Sequence, residues 1–189
     1  MQILRTELFR YTQPNTLFLV SANGKLRKDM SLVMGRGAAL QLTKKIPGFD
    51  KRVGLLLVEM DEVLINRIDQ QKLNAVKQLG FDPDWYNVQQ PVQMIVDYFR
   101  YFVLIAQRPL ENRAGVGLFQ VKKRWDEAAL LDLIEKSAVH LSQYMTQNPH
   151  VNVRMNLPGV GNGRLKRDEV IPVLEKKLSQ FDKLTICYR

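Results

Sequence analysis

The chain contains a single cysteine, Cys187, and only two histidines among its 189 residues. One cysteine excludes an internal disulfide and is typical of a reducing compartment, so a cytoplasmic location is expected. Cys187 lies in a C-terminal run of alternating apolar residues, which favours buried packing over catalysis. His140 and His150 have no partners at metal-ligand spacing, so the sequence predicts no metal site.

Four other features are missing. The longest apolar runs, at 17–22 and 102–106, have the length of strands and not of a membrane-spanning helix. The first residues lack the charged-then-apolar layout of a secretory signal. A serine nucleophile elbow and a complete Walker motif are absent as well. The sequence therefore predicts no membrane partner and argues against a serine hydrolase or a Walker-type nucleotidase.

Acidic residues are in deficit, with 19 Asp and Glu against 28 Lys and Arg, which gives a net charge of +9 at pH 7. This charge favours anionic partners, either a phosphorylated small molecule or nucleic acid. The basic residues concentrate at 25–28 and Arg36, at 122–124, and at 164–167. Two of these clusters border glycine-rich segments.

The glycine-rich segments are the most informative feature of the chain. Loop 1 is Met34-Gly35-Arg36-Gly37-Ala38-Ala39, and loop 2 is Pro158-Gly159-Val160-Gly161-Asn162-Gly163. Each follows an apolar run typical of a strand and precedes a helical pattern. Such loops turn several backbone N–H groups toward one point, and the helix start adds positive partial charge. Two of them in one small chain predict a clamp for two phosphates.

The remaining pattern alternates strands with helices, which predicts a sheet between helical layers. Residues 98–106 and 116–121, separated by a turn, predict a hairpin. Residues 1–189 read as one domain, with 74–114 as a candidate insertion. The other predicted strands lie within 1–9 and over 16–22, 151–157 and 184–188, and the predicted helices cover 38–45, 50–73, 127–146 and 168–178.

Four segments together resemble a macro domain, the ADP-ribose-binding fold: Leu19–Asn23, Val33–Ala39, Phe119–Trp125 and Leu157–Gly163. Their order and separation are similar to those of terminal ADP-ribose glycohydrolases and antitoxin-type DNA ADP-ribosyl glycohydrolases. The resemblance covers nearly the whole chain except 74–114. It implies a three-layer α/β/α fold, with a mixed central sheet and helices on both of its faces.

The resemblance also implies roles for individual residues. Thr6–Phe9 matches the segment at the adenine end, with Glu7 in place of the usual aspartate, so that backbone groups can make this contact instead. Asn23 matches the asparagine near the distal ribose, and Lys122 matches a lysine that some members use in catalysis. The implied catalytic residues are Lys122 and Asn23, without metal or cofactor, and the implied ADP-ribose contacts are Glu7, Leu8, Asn23, Met34, Gly35, Arg36, Gly37, Ala38, Pro158, Gly159, Val160, Gly161, Asn162, Gly163 and Arg164.

Lys122 can act on a glycosidic bond only if part of its amine is neutral. Strand alternation places Lys122 and Arg124 on one face, and a neighbouring cation lowers the pKa of a lysine. The alternative is an exposed basic residue that attracts phosphate or nucleic acid. The sequence also departs from related hydrolases, because Gly163 runs directly into Arg164 without the acidic residue that often acts beside the lysine.

These observations predict an ADP-ribose-binding macro domain that hydrolyses ADP-ribosyl links on DNA or protein. Its partner would be ADP-ribose or an ADP-ribosylated macromolecule, and the basic surface suits nucleic acid. Three alternatives stay open: a non-catalytic ADP-ribose-binding module, an ADP-ribose 1″-phosphate phosphatase, and a basic nucleic-acid-binding protein without the nucleotide pocket. Whether the chain is an enzyme is left undecided by its sequence.

Overall fold

A computed structural model of the protein describes residues 1–10, 14–58 and 115–189, together with the backbone of 103–107. The candidate insertion at 74–114 lies outside the described residues, apart from 103–107. The same holds for the second half of the helix predicted over 50–73.

Six strands form one mixed sheet in the order β1-β6-β5-β2-β4-β3. All neighbouring strands are parallel except β3 and β4, which are antiparallel as the predicted hairpin requires. The carboxyl ends of β2, β4, β5 and β6 therefore lie at the same edge of the sheet. The strands are β1 (Gln2–Arg5), β2 (Thr16–Asn23), β3 (Val103–Gln107), β4 (Gly115–Lys122), β5 (Asn152–Asn156) and β6 (Leu184–Tyr188).

Helices cover both faces of the sheet. They are α1 (Gly37–Lys45), α2 (residues 49–58), α3 (Leu131–Gln147) and α4 (Arg167–Leu178). In strand β2, Leu17 and Leu19 pack in the core under α3 and α4, whereas Phe18 and Val20 pack in the core under α1 and α2. Because successive strand side chains point to opposite faces, one apolar strand contributes to both cores. Among the described residues, no helix is long and apolar enough to cross a membrane.

Helix α3 begins at Leu131 and not at 127, where the sequence pattern places its start. Residues 123–130 form a turn instead. The carboxylate of Glu127 accepts a hydrogen bond from the Arg124 N–H at 3.2 Å, and the Leu130 N–H donates to the Val121 carbonyl at 2.9 Å. These bonds hold residues 124–130 in a non-helical conformation, so the helix begins later than the sequence pattern predicts.

Strands β2 and β4 lose their regular register at their carboxyl ends. Ala22 lies opposite Gln120, but the next residue, Asn23, lies opposite Lys122, so β4 carries one extra residue at a bulge. The bulge places Asn23 and Lys122 side by side at the edge of the sheet.

The segment 24–33 separates β2 from loop 1, so loop 1 does not directly follow a strand as the sequence pattern suggested. This segment is anchored to α2. The Leu32 N–H donates to the Asp50 carbonyl at 3.0 Å, and Arg27 forms an ion pair with the Asp50 carboxylate at 3.1 Å. Helix α2 packs tightly against the segment at Gly54, where a methyl group would lie 1.7 Å from the Met30 carbonyl oxygen.

We expect Gly54→Ala to lower the free energy of unfolding by roughly 1–3 kcal/mol, the usual cost of overpacking. Alanine is the better helix former by about 1 kcal/mol, but the backbone of Met30 cannot yield by the distance required. Urea denaturation measures the change. Gly35→Ala is the matched control, since a methyl group there meets nothing within 4 Å. Equal stability of the two variants would contradict the packing of α2 against Met30.

Candidate ligand-binding cleft

The two glycine-rich loops meet at the carboxyl edge of the sheet. A methyl group at Gly37 in loop 1 would lie 3.3 Å from the Nδ2 atom of Asn162 in loop 2. Gly37 has a φ of +60°, a conformation that glycine adopts without strain. The loops are far apart in the sequence, and the parallel strand order brings them together.

A cleft of about 320 Å³ opens between the loops. One wall comes from Gly37, Ala38 and Gln41 at the start of α1, and the facing wall includes Val160 and Gly161 of loop 2. The cleft extends away from the loops to the chain termini. Its remaining lining residues are Thr6, Leu8, Asn156, Leu157, Arg167, Cys187, Tyr188 and Arg189.

The start of α1 presents uncapped backbone N–H groups to this cleft. Arg36 occupies the N-cap position without a side-chain hydrogen bond, and the first turn contains no acidic residue. The N–H groups of a first helical turn have no intrahelical acceptors, and the helix dipole adds positive partial charge. This wall of the cleft is therefore suited to an anion.

Loop 2 is closed by its own backbone hydrogen bonds. The Arg164 N–H donates to the Gly161 carbonyl at 2.9 Å, and the Leu165 N–H donates to the Gly159 carbonyl at 3.1 Å. Gly159, Gly161 and Arg164 all have positive φ angles, between +65° and +75°. Within the described part of the chain, no acceptor is bonded to the N–H groups of Asn162 and Gly163. The closed loop therefore holds two unused donors close together, as an anion site requires.

Lys122 lies beneath the junction of the loops. Its Nζ atom donates hydrogen bonds to the carbonyls of Trp125 at 3.0 Å, Glu127 at 3.1 Å and Asn162 at 3.2 Å. All three protons of the ammonium group are thus engaged. Lys122 ties the end of β4 to the following turn and to loop 2.

Burial is the main cause that lowers the pKa of Lys122, and the positive charges of Arg164 and Arg36 lower it further. Asp126 and Glu127 act in the opposite direction. The cations that act on this amine are therefore Arg36 of loop 1 and Arg164, which directly follows loop 2.

The expectation that Arg124 supplies the neighbouring cation is wrong. Strand β4 ends at Lys122, so strand alternation does not extend to Arg124. The Arg124 guanidinium instead binds the carboxylates of Asp126, at 3.2 Å, and Glu127, at 3.7 Å.

Asn23 is buried, and both ends of its amide are occupied. Its Nδ2 atom donates to the Val33 carbonyl at 2.8 Å, and its Oδ1 atom accepts from the Lys25 N–H at 2.9 Å. The side chain thus ties the end of β2 to the segment that leads into loop 1. A catalytic role for Asn23 stays a prediction.

The segment at residues 6–9 borders the far end of the cleft. Leu8 is buried and lines the cleft, whereas Glu7 points outward and lies 3.8 Å from Arg189. The carbonyls of Glu7 and Leu8 accept hydrogen bonds from Arg154, both at 3.3 Å. Arg154 therefore fixes this segment against β5.

The remaining predicted contact residues divide into two groups. Leu8, Gly37, Ala38, Val160 and Gly161 line the cleft itself. The others surround it: Met34, Pro158, Gly159 and Gly163 are buried in the loops, whereas Gly35, Arg36, Asn162 and Arg164 are exposed beside it.

Sequence reasoning missed the arginine end of the cleft, which we define as Arg167, Tyr188 and Arg189. The Arg167 guanidinium lies over the Tyr188 ring, with its Cζ atom 3.9 Å from the ring centroid. Tyr188 ends β6, and ligands of open parallel sheets bind outside the carboxyl ends of the strands. That rule identifies Tyr188 only when the strand order is known. Elsewhere in the described ranges, no three His, Cys, Asp or Glu side chains form a group suited to a metal.

Solved structures with a similar fold include three bacterial proteins. The macrodomain of Mycobacterium tuberculosis DarG aligns with a TM-score of 0.60 and 16% identity, over 100% of this chain and 98% of that one. The macrodomain of Thermus aquaticus DarG gives 0.56 and 19%, over 100% and 97%. Thermosipho africanus DarTG in complex with ADP-ribose gives 0.53 and 15%, over 92% of this chain and 38% of that one. No family model matches the chain, and no curated protein matches it either.

Proposed function

We propose that this chain, which has the macrodomain fold, binds ADP-ribose and removes ADP-ribosyl groups from DNA or protein. The observation that carries the proposal is the meeting of loops 1 and 2 over one cleft, with Lys122 beneath their junction. The similar Thermosipho africanus protein is described in complex with ADP-ribose, which supports the choice of ligand.

The diphosphate would lie at the junction of the loops. The uncapped start of α1 and the unused N–H donors of Asn162 and Gly163 supply hydrogen bonds to it. The adenosine would extend into the cleft toward Leu8, and the distal ribose would extend toward Lys122.

Lys122 would supply the nucleophile. In its neutral form, Nζ attacks the anomeric carbon of the distal ribose, and the bond to the macromolecule breaks. The bonding electron pair goes to the leaving atom, which takes up the proton that Nζ loses. Water then releases ADP-ribose and restores the amine. The bond from Nζ to Asn162, at 3.2 Å the longest of the three, must open to free the lone pair.

A non-catalytic ADP-ribose-binding module is the second candidate. Three carbonyl acceptors hold the Lys122 amine, as is typical of a lysine with a structural role. No acidic residue lies between loop 2 and Asp168. In this case the lysine stabilises loop 2, and the chain recognises ADP-ribose without cleaving a bond.

Isothermal titration calorimetry tests the part that both candidates share. We expect ADP-ribose to bind at least tenfold more tightly than AMP, a difference of ~1.4 kcal/mol, because AMP engages the adenosine cleft with only one phosphate. Ribose 5-phosphate should bind more weakly than either. Absence of ADP-ribose binding by folded protein would contradict the proposal.

A further inference from the structure

The arginine end of the cleft carries an excess of positive charge. Arg167 and Arg189 line the cleft, and no Asp or Glu side chain among the described residues lines it. Arg154 lies nearby and donates to the Cys187 Sγ atom at 3.3 Å. Among the described residues, the acidic group paired here is Glu7, which is exposed and 3.8 Å from Arg189. A pair of this kind, exposed on both sides, contributes little and leaves Arg189 able to bind a ligand.

Within the described part of the chain, Arg167 is held in place by an aromatic ring and not by a charged partner. Its Cζ atom lies over the Tyr188 ring, 3.9 Å from the centroid, in a cation–π contact that does not use the N–H donors of the guanidinium. Among the described residues, no carboxylate lies within ion-pair distance of Arg167. The nearby Glu169 carboxylate instead accepts the Lys166 N–H at 2.7 Å. A planar donor fork held in this way matches the oxygens of a phosphate.

We propose that the arginine end binds a phosphate monoester on the adenosine ribose, so that the preferred ligand is ADP-ribose phosphorylated at its 2′- or 3′-hydroxyl. The inference rests on the proposed function, because the loops must hold the diphosphate for the adenosine to reach Arg167 and Arg189. The diphosphate already has its donors in loop 2 and at the start of α1. Arg167 and Arg189 are therefore available for a further group with a charge of about −1.5 to −2 at neutral pH.

Calorimetry with three ligands tests this inference: ADP-ribose, ADP-ribose 2′-phosphate and ADP-ribose 3′-phosphate. We expect one of the phosphorylated ligands to bind at least tenfold more tightly than ADP-ribose, and the advantage to shrink as salt is raised. The 2′ and 3′ ligands show which hydroxyl carries the phosphate. Arg167→Gln and Arg189→Gln, singly and together, should weaken binding of the phosphorylated ligand more than binding of ADP-ribose and so remove the advantage.

Lys51→Gln is the matched control, since Lys51 is an exposed cation of α2 that does not line the cleft. It removes the same charge and should keep the full preference. Equal affinity for the three ligands would overturn the inference alone. Equal weakening of all three ligands by Arg167→Gln would also overturn it, because Arg167 would then support the adenine ring. Failure of folded protein to bind any of the ligands would overturn the proposed function together with this inference.

Discussion

Replacement of Lys122 by methionine should reduce the release of ADP-ribose from ADP-ribosylated DNA or protein by about 1000-fold or more. Loss of a positioned nucleophile or acid–base group has an effect of this order. Methionine preserves most of the apolar stem but can neither attack the anomeric carbon nor donate to Trp125, Glu127 and Asn162. Mass spectrometry of the released product measures the rate on both substrates.

Two further variants distinguish a catalytic role of Lys122 from a structural role in which its amine holds loop 2 by hydrogen bonds. Lys122→Arg keeps a cation that donates hydrogen bonds but is never neutral, so it should retain ADP-ribose binding and lose turnover. Lys123→Met is the matched control, because Lys123 is exposed and adjacent in sequence, and it should retain both. Unchanged turnover in Lys122→Met would remove the lysine from the mechanism. Loss of ADP-ribose binding in Lys122→Met, with full ADP-ribose binding in Lys122→Arg, would favour the non-catalytic module.

The pH dependence of turnover should follow the same amine. Only neutral Lys122 can attack, so kcat/KM should rise with pH through the pKa of Lys122 and level off above it. Because burial, Arg164 and Arg36 lower this pKa, the rise should occur below the ordinary range of lysine. Arg36→Gln removes one of these charges and should move the rise to higher pH. An unchanged pH profile of kcat/KM in Arg36→Gln would contradict the assignment of the rise to Lys122.

Gly163→Ala should weaken ADP-ribose binding by about 100-fold, or ~2.7 kcal/mol. A methyl group at this position would lie 2.2 Å from the Gly159 carbonyl oxygen, within the backbone of the same loop. That oxygen also accepts the Leu165 N–H that closes loop 2. The loop must therefore open, and its N–H donors no longer converge on one phosphate. Calorimetry on folded variant protein measures the effect.

Gly48→Ala is the control for this substitution. Gly48 has a φ of +77°, so alanine is strained there as well, but the position has open space and does not line the cleft. Gly48→Ala should lower stability by roughly 1 kcal/mol and leave binding unchanged. Similar binding by Gly163→Ala and the unmodified protein would contradict the role of loop 2.

Local patterns in the sequence were sufficient for much of the fold. The continuous apolar run that became β2 and the alternating run that became β6 are short-range signals, and both strands lie where they were predicted. The layered α/β arrangement with a mixed sheet is confirmed by the structure and by the similar solved structures. Glycine-rich loops are also local signals, which explains why the sequence could identify both of them.

The arrangement of side chains around the cleft could not be obtained in this way. Arg167 and Tyr188 belong to a helix start and a strand end that become neighbours only through the strand order. The wrong prediction of the cation beside Lys122 has the same origin. Arg36 and Arg164 lie near Lys122 because of the fold, whereas Arg124 is close to it only in the sequence. Engagement of Asn23 by two backbone groups likewise depends on the path of residues 24–34.

The irregular pairing of Asn23 with Lys122 has a consequence for chains of altered length. The bulge already accommodates one extra residue of β4 against β2, so a further residue inserted within 115–121 would turn Lys122 to the opposite face of the sheet. Such a lengthened protein could keep its layers, since the residues of β4 that precede Lys122 are apolar or small on both faces apart from Gln120. Strand length, and not lysine content alone, therefore determines whether an amine stands beneath the two loops.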